Sequence, residues 1–436
     1  MQTITKTQFI VISLMLFSMF FGAGNFIFPP MLGKESGEIF CQTILYFCAT
    51  AVLLPVLGVA AVARCGSVQA LTNRVDRVFG PIFIVLIYLS IGPFLAIPRA
   101  ANLPFEVSIA PLFENPAVPL VFWTIFYFII NFVISANKSR VVDILGQYLT
   151  PVLLVLIVVL VVAVFLADTP PLGAPTGKYA LAPTSTAFMA GYDTMDAMAA
   201  IVFGIVVVNV LRDYGVVQER ALISTTIKTG IFAGVLLSLI YIGLAYLGAA
   251  TAGIVQNVQN GANILSQTAN YLFGSAGAPI LGLALFLACI TTTVGLTTSG
   301  SDYFNSLTPK ISYKAWCAIF SVASALMANI GLSGILKFGV PILVAFYPVV
   351  IVLVLLALID NFIDSSKLIY RACIYVTLVT GLIYSLGTVA SVLPQGFVEL
   401  VKPAMPFYDY GLGWVLWAIV AFCVTYIIHT VLKFRQ

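Results

Sequence analysis

The sequence predicts an all-α integral membrane protein with about twelve transmembrane helices. Of its 436 residues, 61% are hydrophobic and only 8% are charged, whereas soluble domains carry about 25% charged residues. Apolar runs of about 20 residues, the length of a helix that crosses a bilayer, recur along the whole chain. No polar region of domain size remains between these runs, so the chain is interpreted as one membrane domain over residues 1–436.

The apolar segments are predicted to span the membrane at residues 9–32, 40–63, 79–98, 118–136, 147–167, 186–210, 222–249, 278–300, 314–330, 335–359, 370–393 and 412–432. The first segment leads into Gly-Asn and Pro-Pro rather than a small-residue cleavage site, so it is interpreted as a retained span. With the N-terminus in the cytoplasm, the outer side holds only Lys34, Arg99, Lys178 and Lys402, and most of the 20 Lys and Arg residues lie on the cytoplasmic side. This bias predicts cytoplasmic N- and C-termini. It also accounts for the net charge of +4, which therefore gives no reason to expect nucleic-acid binding.

The first span is interrupted by Gly22-Ala23-Gly24-Asn25 and then by Pro29-Pro30. Glycine loosens a helix, and proline lacks an amide hydrogen and clashes with the preceding turn. Backbone groups that are freed at membrane depth cost free energy unless they are satisfied, so broken helices occur around cavities and form the substrate sites of transporters. A proline kink packed against a neighbouring helix is the alternative interpretation.

A second polar interruption lies in the sixth span, at Gly191-Tyr192-Asp193-Thr194-Met195-Asp196. The two interruptions are five spans apart, and because five is odd, the second half would enter the membrane from the opposite side. Paired broken helices of this kind indicate an inverted repeat. The repeats are predicted at roughly 1–167 and 186–360, with two appended helices in 370–436.

The break in the first span offers two kinds of backbone group. The amides of Ala23 and Gly24 favour an anion such as a carboxylate. The carbonyls around Ser18 to Phe21, at the end of the preceding half-helix, favour a cation. The break can therefore bind both ends of a zwitterionic amino acid, or an amino acid together with a metal ion.

The eighth span is rich in threonine, at positions 291, 292, 293, 297 and 298. Threonine hydroxyls and helix carbonyls three or four residues back form an oxygen cage that suits Na⁺, a hard cation. The alternative is that these hydroxyls only bond back to their own helix, as Ser and Thr do in membrane helices.

Three charged residues are left with open roles. Asp193 and Asp196 are costly at membrane depth. They are expected to bind a substrate amine, line an aqueous path or pair with a base elsewhere, unless they lie at the outer edge of their span. Arg99 follows the third span, where it is interpreted as a partner of Glu106, as part of an outer vestibule or as a plain loop charge.

The sequence lacks the signatures of enzymes. The seven cysteines form no CxxC pair, and the one histidine, His429, argues against a histidine proton relay or a zinc hydrolase. No GxSxG, HExxH or P-loop motif occurs. The chain is therefore predicted not to be an enzyme, and no organic cofactor is expected.

Three separated segments resemble the bacterial branched-chain amino acid:cation symporters (BrnQ type). Residues 22–30, GAGNFIFPP, are similar to the GAGNxIFPP signature of that family. Gly92-Pro93 with residues 96–99, and residues 191–200, resemble two further segments of it. The family more often has threonine after the arginine, where this chain has Ala100. The resemblance runs along essentially the whole chain.

The family is similar to the broader leucine-transporter-fold superfamily, which implies the five-plus-five inverted repeat and a set of binding residues. The substrate-binding residues so implied are Phe21, Gly22, Ala23, Gly24, Asn25, Tyr192, Asp193 and Thr194. The amides of Ala23 and Gly24 would meet the substrate carboxylate. Because Ala288-x-x-Thr291-Thr292 matches the sodium pattern of the superfamily, Na⁺ would be bound by the carbonyls of Ser18, Phe21 and Ala288 and the hydroxyls of Thr291 and Thr292.

The function that the resemblance implies is Na⁺-coupled import of leucine, isoleucine and valine by alternating access. The expected location is the cytoplasmic (inner) membrane of a bacterium, with the lipid bilayer as surroundings and no obligatory protein partner. Three alternatives are a proton-coupled symporter or exchanger in which Asp193 or Asp196 titrates, an intramembrane enzyme, and a sensor that binds its ligand without transporting it.

Overall fold

The computed structural model describes residues 4–194, 196–258 and 260–434, which form helices and connecting segments without a β-strand. Met195, in the second polar interruption, lies outside the described residues. In chain order the α-helices are α1 Lys6–Phe20, α2 Ala23–Ser36, α3 Phe40–Cys48, α4 Leu54–Cys65, α5 Val68–Thr72, α6 Phe79–Leu89, α7 Ala96–Ser108, α8 Ala117–Ser135, α9 Lys138–Asp143, α10 Thr150–Leu166, α11 Gly177–Leu181, α12 Pro183–Tyr192, α13 Asp196–Asp213, α14 Glu219–Ala250, α15 Gly261–Phe273, α16 Gly277–Leu307, α17 Tyr313–Ala328, α18 Leu332–Leu358, α19 Lys367–Tyr384, α20 Gln395–Val401 and α21 Trp414–Phe434.

Short segments of other helix types join several of these α-helices. Such 3-10 and π segments occur at the ends of α-helices and inside them. The π-helical segments are Ala49–Leu53, Ser90–Phe94, Ile144–Leu149 and Ser385–Val389, and the 3-10 turns are Gly37–Ile39, Ala110–Leu112, Gly274–Ala276, Asp360–Phe362, Lys402–Ala404 and Tyr408–Tyr410.

Within the described residues, nine helical stretches are long and apolar enough to cross a membrane, and α12 with α13 gives a tenth if the bent pair is one span. Two shorter apolar helices, α1 and α17, lie below that length. The predicted all-helical membrane architecture is therefore confirmed. The number of about twelve spans and the inverted repeat at roughly 1–167 and 186–360 stay predictions.

The first break lies at Phe21 and Gly22. Helix α1 ends at Phe20, and Phe21 leaves the helical region with φ −76° and ψ 79°. Gly22 is extended, with φ −109° and ψ −158°, and caps α2, which begins at Ala23. Pro29 and Pro30 lie inside α2 rather than at its end. The span is therefore interrupted at Phe21 and Gly22 and not at the proline pair.

The second break separates α12 from α13, whose axes differ by 42°. Asp193 and Thr194 form the turn after α12, and Asp196 is the first residue of α13. Both polar interruptions predicted from the sequence therefore coincide with interrupted helices.

A further bend lies in the third span and changes the position of Arg99. Gly92 departs from helical geometry, with φ −87° and ψ −120°, and the helical stretch then continues through α7 and the 3-10 turn Ala110–Leu112. The helical stretch therefore extends beyond the span predicted at 79–98. Arg99 lies in the first turn of α7, inside the helical stretch and not in a loop after it.

Helix α2 is surrounded by backbone of other helices at contact distance. A Cβ atom at Gly33 would lie 1.8 Å from the carbonyl oxygen of Ala245 in α14, and one at Gly248 would lie 1.9 Å from the carbonyl oxygen of Pro30. A Cβ atom at Gly261, the first residue of α15, would lie 1.8 Å from the carbonyl oxygen of Ile27. Small residues allow this close approach, as they do generally between membrane helices. As a result, α2, the second half of the broken span, is packed directly against the backbone of α14 and α15.

We expect Gly248→Ala to destabilise the protein by about 1–3 kcal/mol, because the added methyl group meets backbone that cannot rotate away. The matched control is Gly396→Ala in α20, where nothing lies within 4 Å of the new Cβ atom. The measurement is the melting temperature of the purified protein in detergent. Equal melting temperatures for the two variants would show that the contact between α2 and α14 is not tight.

Candidate functional site

A central cavity of about 80 Å³ lies beside the break in the first span. Its polar lining residues are Asn25, Arg99, Thr194, Asp196 and Thr292, and its apolar ones include Met19, Phe20, Ile91, Leu95, Ala199, Phe203, Leu296 and Leu343. Gly22, Ala23 and Gly24 also line it. The cavity therefore combines apolar surface, polar groups and the backbone of a helix end, as small-molecule sites do.

The helix end that lines the cavity is the N-terminus of α2. The first amide with a hydrogen bond to a carbonyl four residues back is that of Phe26, which donates to Gly22 at 3.3 Å. The amides of Ala23, Gly24 and Asn25 precede it and have no such acceptor within α2. These donors, together with the positive end of the helix dipole, favour an anion.

The other side of the break carries a cluster of four oxygen atoms. The Thr291 hydroxyl lies 3.0 Å from the carbonyl oxygens of both Ser18 and Ala288. The Thr292 hydroxyl lies 3.3 Å from the carbonyl oxygen of Ser18 and 3.2 Å from that of Ala288. Two neutral hydroxyls and two carbonyls thus converge between α1 and α16, which is a donor set of the kind that binds Na⁺ in transporters.

Gly22 brings this oxygen cluster against the break. A Cβ atom at Gly22 would lie 2.9 Å from the hydroxyl oxygen of Thr292. Phe21, in contrast, turns its ring into the protein core, where it is fully buried and stacks on Phe17 with ring centroids 5.4 Å apart.

The predicted residues of the sixth span are divided between different surroundings. Thr194 lines the central cavity. Tyr192 packs edge-on against Tyr347, with ring centroids 4.5 Å apart. Asp193 lines a second cavity of about 610 Å³, together with Lys178 and Glu35. The two carboxylates of the sixth span therefore face different cavities, because the turn between α12 and α13 separates them.

Asp196 is held by a network that the sequence analysis missed. It is only 7% exposed, and its Oδ2 atom accepts a hydrogen bond of 2.5 Å from the Asn25 amide. Asn25 also donates to the Tyr241 hydroxyl at 2.5 Å. Tyr241 lies in an apolar run of α14 with no local signal of function, so only the fold brings it to the site.

Arg99 also lines the central cavity, where its side chain lies against Gly24. A Cβ atom at Gly24 would lie 2.8 Å from an Nη atom of Arg99, so the guanidinium group lies beside the free amides of α2. The sequence signal that pointed to this residue is the Pro98-Arg99 segment, although its place inside helix α7 was not predicted.

The arrangement can bind an anion, a cation and an apolar group side by side. Among the described residues, no group of three or more His, Cys, Asp or Glu side chains is arranged to hold a metal ion.

Comparison with known proteins adds the following relatives. A family model described as "branched-chain amino acid transport protein" matches residues 5–432. Branched-chain amino acid permease BraB of Bacillus subtilis (strain 168) is 41% identical over 424 residues, covering 96% of this chain and 95% of the relative. Branched-chain amino acid permease BrnQ of the same organism is 37% identical over 432 residues, with coverage of 98% and 97%. The branched-chain amino acid transport system 2 carrier protein of Pseudomonas aeruginosa is 38% identical over 408 residues, with coverage of 93% and 92%.

Two solved structures share the fold. A nucleobase-cation-symport-1 family transporter, in a closed conformation with bromovinylhydantoin bound, aligns with a TM-score of 0.61 at 16% identity, over 97% of this chain and 91% of its own. A manganese transporter of Eremococcus coleocola aligns with a TM-score of 0.56 at 14% identity, over 96% of this chain and 95% of the transporter's chain. At these identities the likeness concerns the fold alone.

We expect Tyr241→Phe to lower the free energy of unfolding by about 1 kcal/mol, because it removes one buried hydrogen bond to Asn25. In the Asn25→Ala background the same change should cost almost nothing, since the partner is already gone. Denaturation of the four proteins of this double-mutant cycle measures the coupling. Losses that simply add would mean that the hydroxyl and the amide act independently.

Proposed function

Since the chain belongs to the branched-chain amino acid transport protein family, we propose that it imports leucine, isoleucine and valine as a secondary active symporter coupled to Na⁺. It is a multi-pass membrane transporter for branched-chain amino acids and not an enzyme. The coupling ion, the symport mechanism and the cytoplasmic location of both termini belong to the proposal. The observation that carries it is the contact of the Thr291 and Thr292 hydroxyls with the Ser18 carbonyl at the helix break.

The free amides of Ala23 and Gly24 support binding of the substrate carboxylate. They line the central cavity and stand at the positive end of α2. Asn25 and Thr194 line the same cavity, so they are proposed to contact the polar end of the substrate. Asp193 is proposed to act at the edge of the site, in the second cavity. Tyr192, which precedes it and packs against Tyr347, is proposed to support that edge.

The apolar lining supports branched aliphatic side chains as cargo. Phe20, Phe203 and Leu343 offer hydrophobic surface at the cavity, and Phe20 packs edge-on against Phe203. A hydrophobic pocket distinguishes one methylene group by only about 1–3 kcal/mol. Leucine, isoleucine and valine should therefore compete for one site.

Na⁺ is proposed to bind as co-substrate between α1 and α16. Each of the Thr291 and Thr292 hydroxyls lies within hydrogen-bond distance of the Ser18 and Ala288 carbonyls, and the Phe21 carbonyl follows just after the end of α1. Carbonyls at a half-helix C-terminus are the ligands that Na⁺-coupled transporters use. Alternating access would then move the helix bundle about this fixed site, with the two predicted repeats as its halves.

The first test is uptake of radiolabelled leucine into proteoliposomes that contain the full chain. We expect accumulation with an inward Na⁺ gradient and none with an equal inward K⁺ gradient. Uptake that ignores Na⁺ but follows an inward proton gradient would contradict Na⁺ coupling. It would favour the proton-coupled alternative, in which Asp193 or Asp196 is the titrating group.

The second test is Thr291→Ala, which we expect to raise the Na⁺ concentration for half-maximal uptake by about 10- to 100-fold, because one oxygen ligand is lost. Thr291→Ser keeps the hydroxyl and should behave almost like the wild type. Thr293→Ala is the matched control: it lies in the same helix, but its hydroxyl bonds to Tyr127 and the Ile290 carbonyl. An unchanged Na⁺ dependence in Thr291→Ala would refute the ion site.

A further inference from the structure

Arg99 is the one cationic side chain in the lining of the central cavity among the described residues. Within the described residues, the Arg99 side chain makes no hydrogen bond and no ion pair. The Arg99 side chain is partly buried, and a guanidinium group withdrawn from water is expected to meet an anion, because a charge without a partner is costly there.

Asp196 brings the opposite charge to the same cavity. One of its oxygen atoms accepts a hydrogen bond from Asn25, which is neutral and forms no ion pair with the carboxylate. Among the described residues no basic group lies within ion-pair distance of Asp196. The cavity thus contains one cation and one anion that do not pair with each other.

We propose that Arg99 binds the carboxylate of the substrate and that Asp196 binds its ammonium group. The inference rests on the proposed function, because it takes a branched-chain amino acid as the occupant. The guanidinium group would share the carboxylate with the amides of α2, since a Cβ atom at Gly24 would lie 2.8 Å from its Nη atom. A planar guanidinium fork matches a carboxylate in shape and charge.

The test compares three ligands that share one side chain. Leucine carries both charges, leucinol lacks the carboxylate, and 4-methylpentanoate lacks the ammonium group. Their dissociation constants are measured by isothermal titration calorimetry on the purified full chain in the presence of Na⁺.

Arg99→Gln should weaken leucine binding by at least about 30-fold, because a buried charge pair is lost. Leucinol has no carboxylate to lose, so its affinity should change by less than about threefold. Asp196→Asn should weaken leucine and leucinol together while leaving 4-methylpentanoate within about threefold. These opposite patterns would identify which residue meets which group.

Three further variants distinguish a specific role in binding from a general loss of folding. Arg99→Lys keeps the charge without the planar fork and should recover part of the leucine affinity. Gly24→Ala places a methyl group against the guanidinium and should reproduce the loss of selectivity between leucine and leucinol. Arg64→Gln removes a cation outside the cavity, which bonds to the Leu358 carbonyl at 2.9 Å, and should leave all three affinities unchanged.

Equal losses for leucine and leucinol in Arg99→Gln and Gly24→Ala would overturn the assignment, since they would show a purely structural role. Leucine binding that does not depend on Na⁺, with the ligand selectivity as expected, would contradict the proposed ion and uphold Arg99. A folded wild-type protein that binds no leucine would overturn both proposals.

Discussion

The constraint on which the rest of the structure depends is the satisfaction of backbone groups at the break between Phe20 and Ala23. In a bilayer core no water is available for an exposed carbonyl or amide, so a broken span needs partners from neighbouring helices. The carbonyl side of this break receives the Thr291 and Thr292 hydroxyls of α16. The amide side opens into the central cavity. One interruption of one helix therefore creates both the donors and the acceptors of the site.

Close packing keeps this interruption in place. Glycines in α2, α14 and α15 bring the backbones of these helices into contact around the second half of the broken span. Asn25 adds a polar link, because its amide joins Asp196 of α13 to Tyr241 of α14. Packing alone is adaptable in hydrocarbon, where lipid tails are as apolar as the helices. A hydrogen-bonded link among three helices defines their relative register more narrowly.

The sequence predicted the features that are local in the chain. Glycine and proline inside an apolar run are visible signals, and both polar interruptions were found in this way. The threonines of α16 were also visible, since they cluster within two helical turns. The position of Arg99 was not predicted, because the helical stretch continues beyond the bend at Gly92 into α7, which hydropathy does not reveal. Tyr241 was missed for another reason: its partner Asn25 lies 216 residues away, and its own neighbours are apolar.

The geometry of the break has a consequence for coupling in the proposed symporter. Ser18, whose carbonyl belongs to the oxygen cluster, and Ala23, which lines the cavity, lie on the two sides of the break at Phe21 and Gly22. A cation that orders the end of α1 also orders the start of α2, because only this step joins them. The substrate then binds to a helix end that is already positioned, and less of its binding free energy is lost in ordering the backbone. Linkage makes this effect reciprocal, so that substrate strengthens ion binding by the same factor. A shared helix break is therefore sufficient to couple two binding events without any contact between the two ligands.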